Sequence, residues 1–322
     1  MRVGRPIVRA GIGLAISIVA FVIVLRSVDI ADTLLVLARA TPVWIAVALA
    51  AVTADAMTRA ARWQRLLAPI RAVRYRNVLR YTLIGYLANN VLPARLGELV
   101  RSHYLGDREG LSRTTTLGTV VVERVIDTVM AVLIAAAAVI VLGIGGVVAT
   151  AVIVGGAVAG AFALALGIGL AAHRLPGASR LIALGPRWPR MAELVGRLRG
   201  GLSVAARPRT LIAAVLWSAI AWAWSTAAFA ATGQAVGLTL SPVEAALVVS
   251  VTALATAIPS GPGYLGTFEL AAVRILQALG VASDAALAFA LLAHATILVA
   301  TSAGGAIALA QVGWQPSSDR SG

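Results

Sequence analysis

The chain has 322 residues, of which 60% are hydrophobic and 12% are charged, and its mean hydropathy is +0.91. Ordinary soluble domains carry roughly 25% charged residues, so this composition excludes a soluble domain and predicts an integral membrane protein. The chain has no cysteine, which excludes disulfides, thiol catalysis and cysteine-bound metal. We expect it to use no cofactor and no metal.

The net charge of +14 comes from arginine, because none of the 27 basic residues is a lysine. These arginines lie mainly between apolar segments, as the positive-inside rule expects of cytoplasmic loops. The charge therefore predicts an orientation in the membrane and argues against a nucleic-acid partner.

The first part of the chain alternates between apolar segments and loops. An apolar stretch ends at Leu25 without a convincing small-residue cleavage site, which predicts an uncleaved first span. A loop of balanced charge separates it from a second span at 42–59. Seven arginines without an acidic residue then predict a cytoplasmic segment: Arg59, Arg62, Arg65, Arg71, Arg74, Arg76 and Arg80.

The next segment, 79–92, is too short to cross a bilayer. As a helix it measures about 21 Å, whereas the hydrocarbon core is about 30 Å thick. Pro93 ends the segment and further arginines follow, so we predict a re-entrant hairpin over 79–110 on the cytoplasmic side. Irregular backbone survives at this depth only where protein or a wet cavity covers it.

The remainder of the chain repeats this order in the opposite orientation, as judged from its arginine-rich loops. The predicted elements are an outward span at 114–142, a return over 147–172, a basic cytoplasmic loop at 173–209, a span at 211–232, a hairpin at 242–280 entered from outside, and a final span at 285–312.

These elements predict an all-α polytopic membrane protein with about six full spans and two oppositely oriented re-entrant hairpins, in a single domain (1–322) with cytoplasmic termini. The two repeats cover 42–142 and 211–312, and their hairpins contain P-x-x-x-G-E from Pro93 and P-x-x-x-G-x-x-E from Pro262. In inverted-topology repeats, paired broken helices mark a site near mid-membrane. The alternative is a chance similarity between two loops rich in glycine and proline.

Charged and polar side chains cluster on the first hairpin. Glu98 and Arg101 are three residues apart and would share a helix face. An intramembrane charge costs about 3 kcal/mol on insertion scales and usually has a role. We predict a pocket for a lipid phosphate formed by Asn89, Asn90, Arg95, Glu98 and Arg101. The alternative is that the charged side chains snorkel to the cytoplasmic interface.

Glu123, Arg124 and Asp127 lie inside the long outward span, so they must face the bundle interior or water. We expect them to pair with Arg95 or Arg101 and to line the path of a ligand. The alternative is a purely structural network of ion pairs.

The second hairpin offers mostly backbone groups. Ser260, Gly261 and Gly263 leave N–H groups that could bind head-group oxygens at a helix start, and Glu269 follows on the return arm. Tight packing of small residues is the alternative. His294, in the final span, would either relay a proton or hydrogen-bond a neighbouring helix.

A family resemblance follows from these motifs. The run from Asn89 to Glu98, then Arg101, then Glu123-Arg124-Val125-Ile126-Asp127, resembles the lysylphosphatidylglycerol synthase transmembrane region, also called the flippase-like domain. Arg62-Trp63 and the 259–269 hairpin fit as well, and the resemblance covers about residues 10–312. It implies a multi-pass protein of the bacterial cytoplasmic membrane that moves lipid between leaflets. Two-domain members also carry an aminoacyl-transferase domain, which we expect this chain to lack.

The combined prediction is a lipid flippase or scramblase for an anionic phospholipid or a polyprenyl-phosphate glycolipid, with a separate transferase or envelope-assembly protein as a further partner. We assign no catalytic residue, because H-E-x-x-H, G-x-S-x-G and G-x-x-x-x-G-K-[ST] are absent from the sequence. One alternative is an enzyme resembling undecaprenyl-diphosphate phosphatases, although Pro262-Gly263-Tyr264-Leu265 lacks the serine and arginine of their P-G-x-S-R motif. Another is a non-catalytic subunit of an envelope-assembly complex.

Overall fold

The computed structural model describes residues 4–313 except 27, 93–95, 147–148, 151, 158–159, 161–199 and 259. Within these residues all regular structure is helical, as predicted. The helices are α1 (Gly4–Leu25), α2 (Ile30–Ala38), α3 (Pro42–Leu67), α4 (Tyr75–Val91), α5 (Gly97–Glu109), α6 (Arg113–Leu142), α7 (Pro208–Ala235), α8 (Pro242–Ala255), α9 (Thr267–Ala278) and α10 (Ser283–Val312), with short 3₁₀ turns at Ser203–Ala206 and Pro262–Tyr264. Arg95 and most of the predicted elements at 147–172 and 173–209 lie outside the described residues.

In the described part of the chain, four helices are long and apolar enough to cross a membrane: α3, α6, α7 and α10. The apolar part of α1 meets α2 at 87°, and together they would add a fifth span. This supports a multi-pass membrane protein. The predicted spans at 114–142, 211–232 and 285–312 agree with α6, α7 and α10 to within three residues at each end.

The second span continues beyond its predicted end at Arg59. Helix α3 begins at Pro42 and runs to Leu67, so Arg59 and Arg62 lie inside the helix. The predicted boundary was wrong because it treated both arginines as loop residues. Asp55 on α3 and two carboxylates on α6 neutralise them instead, and the helix continues.

Each half contains a helical hairpin, the first made by α4 and α5 and the second by α8 and α9. The arms of the first hairpin approach closely, because a Cβ at Gly97 would overlap the carbonyl oxygen of Gly85. The Gly97 N–H donates to Asn89 Oδ1 at 2.8 Å. In the second hairpin, α8 begins with a capping box in which the side chains of Ser241 and Glu244 accept each other's backbone N–H groups.

The two halves of the chain pack in corresponding pairs. Helices α3 and α7 form the most extensive contact. In each half, the first arm of the hairpin packs on the last long helix of the other half: α4 on α10, and α8 on α6. The second arm packs on the last long helix of its own half: α5 on α6, and α9 on α10. The first arm also contacts the first long helix of its own half: α4 on α3, and α8 on α7. Both hairpins therefore lie against the α3–α7 pair. Helix α1 packs on α9, and α2 packs on α10.

Candidate functional site

A cavity of about 250 Å³ lies where the two hairpins meet. Its wall is formed by α3, α4, α6, α7, α10 and the second hairpin. Among the described residues, Asp55, Arg59 and Arg124 bring charge to this wall. Neutral side chains add hydrogen-bonding groups, including those of Tyr86, Asn89, Asn90, Ser225, Thr252 and Tyr264.

The two hairpins touch beside the cavity. Gly263 has φ +63°, and a Cβ there would lie 3.5 Å from the carbonyl oxygen of Asn90. Asn90 Nδ2 donates to Thr301 Oγ1 and Ser302 Oγ on α10, both at 2.9 Å. The end of α4 is therefore held by both the second hairpin and the last helix.

Behind the cavity wall, α3 and α6 share a buried cluster of ion pairs. The side chains of Arg62 and Glu123 are both 0% exposed, and Arg62 Nη2 donates to Glu123 Oε1 at 2.7 Å. Arg62 Nη1 donates to Asp127 Oδ1 at 2.5 Å and to Ser218 Oγ on α7 at 2.7 Å. Burying a charge is costly unless it is paired and hydrogen-bonded. These contacts pair both terminal nitrogens of Arg62, while its Nε has no hydrogen-bond partner among the described residues.

The first hairpin adds Arg101 to the cluster. Its Nη1 lies 3.2 Å from Glu123 Oε2, and its guanidinium lies 4.6 Å from the centre of the Trp63 ring, within cation–π distance. Arg101 is 2% exposed, so the snorkelling alternative is wrong for this residue. The predicted pairing of Arg101 with the α6 charges is confirmed.

Arg59 faces the cavity but is tightly paired. Its Nε donates to both oxygens of Asp55 at 2.9 Å, and its Nη1 donates to Asp127 Oδ2 at 3.1 Å. Sequence reasoning missed Asp55, Arg59 and Arg62 as site residues. Their spacing of four and then three residues places them on one helix face, and that signal was concealed by counting the arginines as loop residues.

Arg124 is the loosely paired arginine of the cavity wall. Its side chain is 33% exposed and lies 3.3 Å from Glu123, 3.5 Å from Glu98 and 3.8 Å from Asp127. Its Nε is within ion-pair distance of Glu98 but makes no aligned hydrogen bond. This guanidinium can therefore turn toward a ligand at a smaller cost than that of Arg59.

Among the described residues, the formal charges of this cluster balance, since it contains four arginines and four carboxylates: Arg59, Arg62, Arg101, Arg124, Asp55, Glu98, Glu123 and Asp127. Three of the predicted site residues line the cavity: Asn89, Asn90 and Arg124. Four others form or support the ion pairs around that wall: Glu98, Arg101, Glu123 and Asp127. In the described part of the chain, no group of three or more histidine and acidic side chains is arranged to hold a metal ion.

Part of the predicted backbone site on the second hairpin is engaged in packing. The Gly261 N–H donates to Ser17 Oγ on α1 at 2.8 Å, and Ser260 is buried. Ser260, Gly261 and Gly263 are not part of the cavity wall. The second hairpin reaches the cavity through Thr252, Thr256, Tyr264 and Phe268 instead.

Glu269, also predicted as a site residue, lies next to the cavity and is 1% exposed. Its Oε2 accepts the Gly266 N–H at 2.7 Å, and its Oε1 lies 2.6 Å from His294 Nδ1. The interpretation of His294 as a hydrogen-bonding partner of a neighbouring helix is confirmed. His294 itself lines the cavity.

Comparison with known proteins gives a family. A 125-residue stretch is 26% identical to the UPF0104 membrane protein of Methanocaldococcus jannaschii, and it covers 38% of this chain and 37% of that relative's length. Residues 11–305 match the family described as the lysylphosphatidylglycerol synthase TM region. This match spans most of the chain and confirms the resemblance seen in the sequence. The chain therefore belongs to the lysylphosphatidylglycerol synthase transmembrane-region family.

Proposed function

We propose that this chain is a lipid flippase or scramblase that moves an anionic phospholipid or a polyprenyl-phosphate glycolipid across the bacterial cytoplasmic membrane. The observation that carries the proposal is the cavity between two hairpins, whose wall holds the loosely paired Arg124. A guanidinium forms planar, bidentate hydrogen bonds to phosphate. Membership of a family named after a lipid synthase supports a lipid as the ligand.

The helix arrangement supports a transport path through this cavity. The corresponding packing of the two halves is in keeping with an inverted-topology repeat that contains two re-entrant hairpins. In transporters of that plan, the substrate site lies near mid-membrane between broken helices. A head group in the cavity would exchange contacts with one hairpin for contacts with the other, while its acyl chains stay in the lipid.

The residues of the site divide into two roles in this proposal. Arg124 binds the phosphate, and neutral groups such as Tyr86 and Asn89 bind the rest of the head group. Arg62 and Arg101 hold Glu123 and so position α6 without touching the ligand. Because the charges of the described cluster balance, an entering phosphate brings further negative charge, and Arg124 meets it by turning away from carboxylate partners that lie 3.3–3.8 Å from it.

Purified protein in liposomes tests this proposal. A fluorescent phosphatidylglycerol or polyprenyl phosphate is followed by chemical quenching of the outer leaflet, and we expect faster exchange than in protein-free vesicles. Arg124→Gln should lower the rate by about tenfold or more, because a hydrogen bond to a charged group contributes about 1.5–3 kcal/mol. Arg113→Gln is the matched control on the same helix: its side chain is 51% exposed and pairs with Asp107 away from the cavity.

Two outcomes would reject parts of the proposal. Equal rates for the wild type and a folded Arg124→Gln variant would reject the phosphate site. Exchange of neither lipid above the protein-free rate would reject transport. Release of inorganic phosphate from a polyprenyl diphosphate in the same vesicles would support a lipid-phosphate hydrolase instead.

A further inference from the structure

His294 and Glu269 form a buried ionisable pair at the second hairpin. His294 Nδ1 lies 2.6 Å from Glu269 Oε1, and the two side chains are 4% and 1% exposed. The Phe268 ring covers the imidazole, with ring centres 4.5 Å apart. Both His294 and Phe268 line the cavity. An acid and a base therefore meet in an environment poor in water at the edge of the site.

This pair joins the second hairpin to the last helix. Glu269 also accepts the backbone N–H of Gly266 at 2.7 Å, at the start of α9, whereas His294 belongs to α10. Gly266 has φ +85°, and a Cβ there would overlap the backbone of Ser17 on α1. The contact between Glu269 and His294 thus fixes the start of α9, and with it the loop that meets Asn90, to α10.

We propose that His294 and Glu269 bind a proton, and that this proton holds the second hairpin against α10. With a neutral imidazole, Nδ1–H donates to the carboxylate and the pair has a negative net charge. A further proton, taken up by Nε2, converts the contact into an imidazolium–carboxylate ion pair without net charge. Opposite charges attract more strongly in a low dielectric than in water, so proton uptake strengthens the contact and proton release loosens it.

The inference rests on the proposed lipid transport and gives it a coupling ion. Release of the proton frees the hairpin to move, and uptake returns it to α10. In the described part of the chain, the other titratable side chains on the cavity wall are Asp55 and Arg59 from α3, Tyr86 from α4, Arg124 from α6 and Tyr264 from the loop of the second hairpin. Among the described residues, α7 and α8 contribute none to this wall.

Nitrogen-15 NMR tests whether the pair binds a proton. The chain has three histidines, so His103→Gln with His173→Gln leaves the signals of His294 alone. Spectra recorded over a pH series from about 8 to about 5 should show Nε2 of His294 gaining a proton, with Nδ1 protonated throughout. Glu269→Gln should change that titration. An imidazole that stays neutral over the whole interval would overturn the proposal.

A thiol reporter tests whether the proton controls the hairpin. Because the chain has no cysteine, Ala253→Cys places a single thiol on the cavity wall. Dividing its alkylation rate by the rate in the same chain with His294→Gln cancels the intrinsic pH dependence of the thiol. We expect this ratio to rise about fivefold or more from pH 5 to pH 8, the lower end of typical coupling between linked sites. A ratio that stays constant with pH would overturn the control of the hairpin.

The matched control is His103→Gln, which removes a histidine that lies 3.5 Å from a carboxylate of Asp107 on α5. This variant should keep the labelling profile of the parent. Should His294→Gln fail to fold, the NMR titration decides alone. Neither measurement uses a lipid substrate, so pH-dependent labelling without lipid movement would reject the flippase and keep the proton site. Lipid movement with pH-independent labelling would keep the flippase and reject the control of the hairpin by a proton.

Discussion

Replacing Arg62 with methionine removes the arginine that joins α3 to α6. Its guanidinium donates to Glu123 at 2.7 Å, to Asp127 at 2.5 and 3.0 Å, and to a serine of α7 at 2.7 Å. Removing one partner of a buried ion pair costs about 3–5 kcal/mol, because the remaining charge stays desolvated. Arg101 and Arg59 stay beside the two carboxylates, so we expect the lower end, about 3 kcal/mol of unfolding free energy.

Two further variants show whether this loss comes from burial and charge balance. Arg113→Met breaks an exposed ion pair and should cost about 0.2–1 kcal/mol. Adding Asp127→Asn to Arg62→Met removes the excess negative charge, while Arg59 keeps Asp55 and Arg101 keeps Glu123 as partners. This second change should restore about 0.5–3 kcal/mol of unfolding free energy, which is the range of coupling energies between contacting residues.

The assay is unfolding in detergent micelles of increasing dodecyl sulfate content, followed by circular dichroism. Equal losses of unfolding free energy for Arg62→Met and Arg113→Met would refute the claim that burial of the cluster makes its ion pairs costly to break. A double variant less stable than Arg62→Met alone would refute the argument from charge balance.

Two other predictions concern the hairpins. Gly97→Ala should lower the unfolding free energy by about 1–3 kcal/mol, because its Cβ overlaps Gly85, whereas Gly145→Ala, whose Cβ would meet nothing within 4 Å, should be neutral in the same assay. Asn90→Leu removes two hydrogen bonds to α10 and should slow lipid exchange in liposomes by about tenfold with unchanged circular dichroism; an unchanged rate would exclude a role for this end of α4.

Helix ends with a local cause were predictable from the sequence. Pro93 and the short apolar segment before it predicted the end of α4 to within one residue of Val91. The end of α3 at Leu67 also has a local cause, because Pro69 follows it. The predicted span stopped earlier, at Arg59, because the sequence does not show that Arg59 and Arg62 find carboxylate partners within the folded protein.

The sequence predicted which charged residues belong to the candidate site, but not which of them line the cavity and which lie behind its wall. Intramembrane charges are costly and therefore conspicuous, which is why Glu123, Arg124 and Asp127 stood out on α6. Helix rotation decides that Arg124 lines the cavity while Glu123 lies behind it, and no spacing rule gives that rotation. The contact of His294 with the second hairpin likewise joins two separate helices.

Blocking the cavity tests most directly whether lipid crosses between the hairpins. Ala253→Cys places a thiol on the cavity wall, and Ile307→Cys places one on α10 at a side chain that is 60% exposed. Attachment of a bulky maleimide at Ala253→Cys should reduce lipid exchange to the rate of protein-free vesicles, and attachment at Ile307→Cys should leave the rate unchanged. Undiminished exchange after complete modification of Ala253→Cys would contradict a path through this cavity.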